Sequence, residues 1–88
     1  DHVEAEIDGV VILGTTEEDS ASIVCKVSES RTQLLNAGKI VREASAVLGG
    51  GGGGSAGFAQ GGGPEKEKLN RALRSGKNIV RDSLKQLE

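Results

Sequence analysis

The residues best suited to chemistry in this chain are a glycine run and a set of cations. Gly49 to Gly63 reads GGGGGGSAGFAQGGG, ten glycines in fifteen residues. Peptide groups without a Cβ can be approached closely by a ligand, and successive amides can line a concave site for an anion. Gly50, Gly51, Gly52, Gly53, Gly54, the Ser55 hydroxyl and the Gln60 carboxamide are therefore candidate contacts. Lys39, Arg42, Arg71, Arg74, Arg81 and Lys85 add the sequence-independent attraction for phosphate that dominates nucleic-acid affinity. The chemistry indicated is phosphate binding. A GxGxxG match inside six glycines carries no information, and this one follows a helical pattern instead of a strand. No Gly-Lys-Ser or Gly-Lys-Thr follows four residues after a glycine, so there is no P-loop.

Catalysis is poorly provided for. His2 is the only histidine and Cys25 the only cysteine, too few ligands for a structural zinc site. Ser, Asp and His are not grouped as a triad, and no general base stands out. Cys25 lies between valines in a strand-like run, which suggests a buried, inert thiol. The expectation is a binding module with no catalytic residue, no metal and no cofactor.

The elements that position these groups follow from the pattern. His2 to Ile7 alternates apolar and polar residues, Asp8-Gly9 suits a hairpin turn, Val10 to Leu13 is continuously apolar and Ala21 to Val27 is rich in Ile and Val. Three strands in a meander over 2–27 are expected, with Gly14 to Ser20 as a loop. Ser30 and Gln33 have the spacing of a capping box opening a helix over 31–48. Its apolar face is Leu34, Ala37, Gly38, Val41, Ala44, Ser45 and Leu48, which Leu35 does not join, and Gly49 ends it. Pro64 suits the first position of a second helix over 64–87, with Leu69, Ala72, Leu73, Gly76, Ile79, Val80, Ser83, Leu84 and Leu87 inward. Opposite lie Arg71, Arg74, Arg81 and Lys85, which form either a solvated face or a contact for an anion. Between the helices, Gly49 to Gly63 is expected as an ordered loop with a short strand around Phe58. A slack linker would span about 20 Å but would not carry the only aromatic side chain of the protein.

Eighty-eight residues make one small domain, burying roughly 60 to 65% of its unfolded surface. No run approaches the twenty apolar residues of a membrane span, and a cytoplasmic setting is expected. Charge is unevenly distributed. Residues 1–30 hold eight acids against Lys26, a balance of −7, and residues 31–88 hold ten Lys or Arg against five acids, a balance of +5. The glycine run lies in the basic part, which favours an anionic partner.

Gly49 to Gly63, followed by Pro64 and Glu65, resembles the glycine-rich C-terminal domain of alanyl-tRNA synthetases, and Ala59-Gln60-Gly61-Gly62 is the distinguishing phrase. A related domain ends the DHH-family phosphoesterases, which usually place His or Arg where Ser55 stands here. The synthetase domains commonly carry a basic residue and a Pro where this chain has Ser55, Ala56 and Gly57, which shifts weight to the second helix. The resemblance implies an α/β fold of the α+β kind, a small mixed sheet with two long amphipathic helices packed on it. It also implies a piece of a larger multidomain enzyme that contacts the outer corner of tRNA, supports aminoacylation and editing, and in some members dimerises. The implied partners are tRNA, the other domains of the parent and a second copy. With one Phe and no Trp or Tyr, recognition by base stacking is set aside in favour of shape and backbone. The rival classes are the substrate-gripping lobe of a phosphoesterase and a dimerisation module with slack glycines.

Overall fold

A computed structural model describes residues 2–7, 9–32 and 35–85. Five strands form one sheet in the order β1-β2-β3-β5-β4: β1 is His2–Ile7, β2 Val10–Thr16, β3 Ala21–Val27, β4 Gly51–Gly54 and β5 Phe58–Gly63. Every pairing is antiparallel. The α+β class stands, but the sheet is not mixed: the first helix returns the chain to the sheet edge as β4, parallel to β3, and β5 turns back to pair between the two, so every neighbouring pair is antiparallel. β2 runs three residues past the expected Leu13, because Gly14, Thr15 and Thr16 pair with Ile23, Ser22 and Ala21.

Side chains alternate across the sheet, so residues paired in register share a face. One face is lined by Val10, Ile12, Ala21, Ile23, Cys25, Val27 and Ala59, all buried, and both helices pack on it. Helix α1 (Ala37–Val47) covers β3, β5 and β4, while α2 (Leu69–Lys85) covers β1 and β2 and lies against α1. Ile40, Val41, Ala44 and Leu48 from α1 and Leu69, Ala72, Leu73 and Val80 from α2 close the core. Burial of Cys25 pushes its thiol up to about 11, in keeping with an inert group.

Both helices begin later than their patterns indicated. Thr32 folds back on Glu29, its hydroxyl donating to the Glu29 carbonyl at 2.9 Å, and this closes a single 3-10 turn over Glu29–Arg31. Such local bonds compete with helix. The cap of α1 is Asn36, whose Oδ1 accepts from Lys39 N at 3.0 Å. Leu35 does not fit the helical face because it precedes the cap, and it is buried with Ile40 at the spacing of a hydrophobic staple. Gln33, Leu34 and Leu87 lie outside the described residues. Pro64 is not the first residue of α2: Glu65 N donates to the Leu48 carbonyl at 2.9 Å, and a 3-10 turn over Lys66–Lys68 leads into the helix at Leu69.

The largest departure is the glycine run. The expected short strand around Phe58 is β5, but Gly51 to Gly54 are a strand and not a loop: β4 and β5 form a hairpin joined at Ser55–Gly57 that lies along α1. Gly49 turns the chain out of α1 with φ 78, a left-handed conformation that glycine adopts without steric cost. The glycines then permit a backbone spacing that side chains would prevent. A Cβ on Gly52 would stand 2.5 Å from Gly61 Cα, 2.6 Å from Gln60 O and 2.9 Å from Val41 Cγ1. One on Gly54 would collide with Phe58 O and Ala59, and one on Gly61 would stand 2.5 Å from Ser45 Oγ. Gly51 and Gly53 have open space where a Cβ would be.

Candidate nucleic-acid interface

The hairpin turn fixes the end of the glycine segment against the helix. Ser55 N donates to Phe58 O at 2.8 Å, and the Ser55 hydroxyl both donates to Phe58 O and accepts from Phe58 N at 3.2 Å. Ala37 N donates to Ala56 O at 2.9 Å and Gly38 N to Ser55 O at 3.1 Å. With Lys39 N bonded to Asn36, the opening amides of α1 are all occupied, so this helix terminus has no donors left for an anion.

The ladder also determines which glycine amides are free. Ser55 and Phe58 form a hydrogen-bonded pair, and such pairs alternate along an antiparallel ladder. Gly53 and Gly51 therefore direct their amides and carbonyls to β5, while Gly52 and Gly54 turn theirs to the outer edge of the sheet. Gly50 N is taken by Ser45 O at 3.0 Å. The run is thus an exposed strand edge with alternate donors and acceptors, and not a continuous cradle of amides.

The expected site residues fall on two sides of the molecule. On the helical side, Lys39 and Arg42 of α1 and Arg71, Arg74, Arg81 and Lys85 of α2 are all exposed. At 100° per residue, Gly38, Val41 and Ser45 face the glycine hairpin and Arg42 flanks that face, so Arg42 is the α1 cation nearest the β4 edge. The four α2 cations point away from its buried stripe and run along about 21 Å of helix. Asp82 is the one exposed acid on α2. On the other side, Gln60 pairs with Val24 and Gly53 on the face of the sheet that carries no helix. Gln60 is therefore separated from the α2 cations by the thickness of the domain.

Two residues in this region were not among the candidate contacts. Phe58 is 43% exposed on the open face. Lys26, its register partner on β3, holds its ammonium 5.9 Å from the ring centroid, a cation–π contact. Their placement depends on pairing β3 with β5, residues more than thirty positions apart, and nothing local announces that pairing. Elsewhere Lys66 Nζ donates to the Glu18 carbonyl and Lys68 pairs with Glu65 at 2.8 Å, so these two lysines serve the α2 entrance. Among the described residues no cluster of His, Cys, Asp or Glu could hold a metal ion, and no helix is long and apolar enough to cross a membrane.

The family model of the DHHA1 domain matches residues 2–82. Alanine–tRNA ligase of Desulfosudis oleivorans is 43% identical over 72 residues, covering 82% of this chain and 8% of the ligase. That of Fervidobacterium nodosum is 40% identical over 81 residues, 92% of this chain and 9% of the ligase. The chain thus spans under a tenth of the length of these relatives. The crystal structure of the C-Ala domain from Aquifex aeolicus alanyl-tRNA synthetase superposes with a TM-score of 0.72 at 35% identity, covering 85% of this chain and 64% of that one.

Proposed function

Because the chain belongs to the DHHA1 domain family, we propose that it acts as a tRNA-binding and assembly domain of an alanyl-tRNA synthetase. The observation that carries this reading is the ridge of Arg71, Arg74, Arg81 and Lys85, exposed along the outer side of α2. Cations spaced along about 21 Å of rigid helix can meet successive phosphates of a folded backbone without reading sequence. Arg42 and the outward amides of Gly52 and Gly54 extend the contact towards the β4 edge. The domain grips the tRNA, and the other domains of the parent chain perform aminoacylation and editing in the cytoplasm. It needs no cofactor of its own.

Two features support the synthetase reading over a phosphoesterase lobe: the ligase relatives and the C-Ala likeness. Homodimerisation through this domain is a separate expectation, to be read from light scattering. The test is binding of the chain to folded tRNA and to an unstructured RNA of equal length, each across a salt series. Tighter binding to folded tRNA with a steep salt slope is expected. Equal, weak binding to both would assign the α2 ridge to solvent.

A further inference from the structure

The face of the sheet opposite the helices has an organisation of its own. Its rows follow from the register: Glu6–Val11–Lys26–Phe58, then Glu4–Leu13–Val24–Gln60–Gly53, then Thr15–Ser22–Gly62–Gly51. Strands β3, β5 and β4 contain no acidic residue at all, and Lys26 is their only charge. Phe58 and Lys26 are exposed, and Val11, Leu13 and Val24 beside them are half-buried. Gly51 and Gly53 leave the floor beyond Gln60 flat. The acids Glu4 and Glu6 stand three strands from Phe58, about 14 Å away at 4.8 Å per strand, beyond the screening length of about 8 Å at physiological salt.

We propose that this open face takes an unpaired RNA nucleotide, its base stacked on Phe58, its edge read by the Gln60 carboxamide and its phosphate drawn by Lys26. Each part has a physical reason. An aromatic ring on an open sheet offers a flat apolar surface that a base can cover once the Lys26 ammonium, which rests 5.9 Å from the ring centroid, swings aside to the backbone phosphate. Gln60 lies two residues from Phe58 on the same face, about 7 Å along the strand, which suits contact with the edge of a stacked base. The glycines of β4 let a sugar approach where side chains would obstruct it. A protein partner would be expected to find a wider apolar surface with charges of both signs, whereas the exposed apolar area here centres on one ring beside one cation. The inference rests on the RNA-binding reading above and adds a second, base-contacting face to the backbone-contacting ridge of α2.

The probes are an eight-residue oligouridine, whose bases are not stacked on one another, and an abasic strand of the same length. The wild-type chain should bind oligouridine more tightly than the abasic strand. Phe58→Leu and Phe58→Ala should each weaken oligouridine binding by roughly five- to a hundredfold, the range for loss of one stacked base, and leave the abasic strand unaffected. Lys26→Gln should reduce the salt slope by about one. In the wild-type protein the Phe58 ring protons should move upfield on adding oligouridine, a readout that does not depend on any variant folding. Equal affinity for the two strands with unshifted ring resonances would overturn the proposal. So would Phe58 variants that keep RNA affinity but lose association with other domains of the parent chain, which would give the face to a protein contact. Arg74→Ala/Arg81→Ala, tested on folded tRNA, separates the two readings: its result bears on the ridge and not on Phe58.

Discussion

Placing an alanine at Gly52 and, separately, at Gly53 tests whether the glycine run is an ordered strand packed under a helix. At Gly52 the new methyl would stand 2.5 Å from Gly61 Cα and 2.9 Å from Val41 Cγ1, against an optimum of about 3.5 to 4 Å for carbon atoms. Relief requires β5 or α1 to move by about 1 Å, and both are held at each end by the Ser55, Ala56 and Leu48 carbonyl bonds. Overpacking of this kind costs about 1 to 3 kcal/mol. For a domain of this size the total stability is roughly 4 to 13 kcal/mol, and each kcal/mol moves Tm by about 4 to 8 °C. A loss of about 2 kcal/mol therefore lowers Tm by roughly 8 to 16 °C. At Gly53 the methyl meets nothing within 4 Å, and restricting the unfolded chain should stabilise by about 0.4 to 1 kcal/mol. The chain has no Trp or Tyr, so thermal unfolding is best followed by far-UV circular dichroism. A Gly52→Ala protein melting within a degree of wild type, or equal damage from both substitutions, would refute the hairpin packing.

Other expectations follow from single side chains. The Ser45 hydroxyl is fully buried with no partner among the described residues, so Ser45→Ala should be neutral or stabilising by about 1 kcal/mol in denaturant unfolding. Asn36→Ala removes the bond to Lys39 N and should cost about 1 kcal/mol, read the same way. The Cys25 thiol is raised from 9.0 to about 11 by burial. Its contribution is complete below pH 9 and is lost as pH rises towards 11, because the unfolded thiol ionises first. The loss should amount to about 2 to 3 kcal/mol, visible as the difference between the pH–Tm curves of wild type and Cys25→Ala.

The strands of the meander and both amphipathic helices were legible because their periodicity is local: alternation over His2 to Ile7 and a spacing of three and four from Ala37 to Leu48. The helix starts were not, since Thr32 bonding back to Glu29 and Glu65 bonding to Leu48 decide them through competing hydrogen bonds. The glycine run was legible as ordered, with a short strand around Phe58, but β4 was not legible as a strand. Glycine carries no side-chain pattern to reveal alternation, and what makes β4 a strand is its ladder with β5, beside α1, where only glycines fit. The exposed cations of α2 could be read from the helical wheel, but their separation from Gln60 could not. That separation depends on register: Gln60 pairs with Val24, and so lies on the face without helices. A single Phe among 88 residues argues against stacking by composition alone, yet the register leaves that one ring exposed beside Lys26.

The measurement that bears most directly on the RNA-binding reading is the affinity of wild-type and Arg74→Ala/Arg81→Ala chains for folded tRNA as a function of salt. If the α2 ridge meets phosphates, the double variant should bind more weakly at every salt concentration, and its log–log slope should be shallower by about two, one for each arginine removed. Identical affinity and slope in the two proteins would show that the ridge faces only solvent.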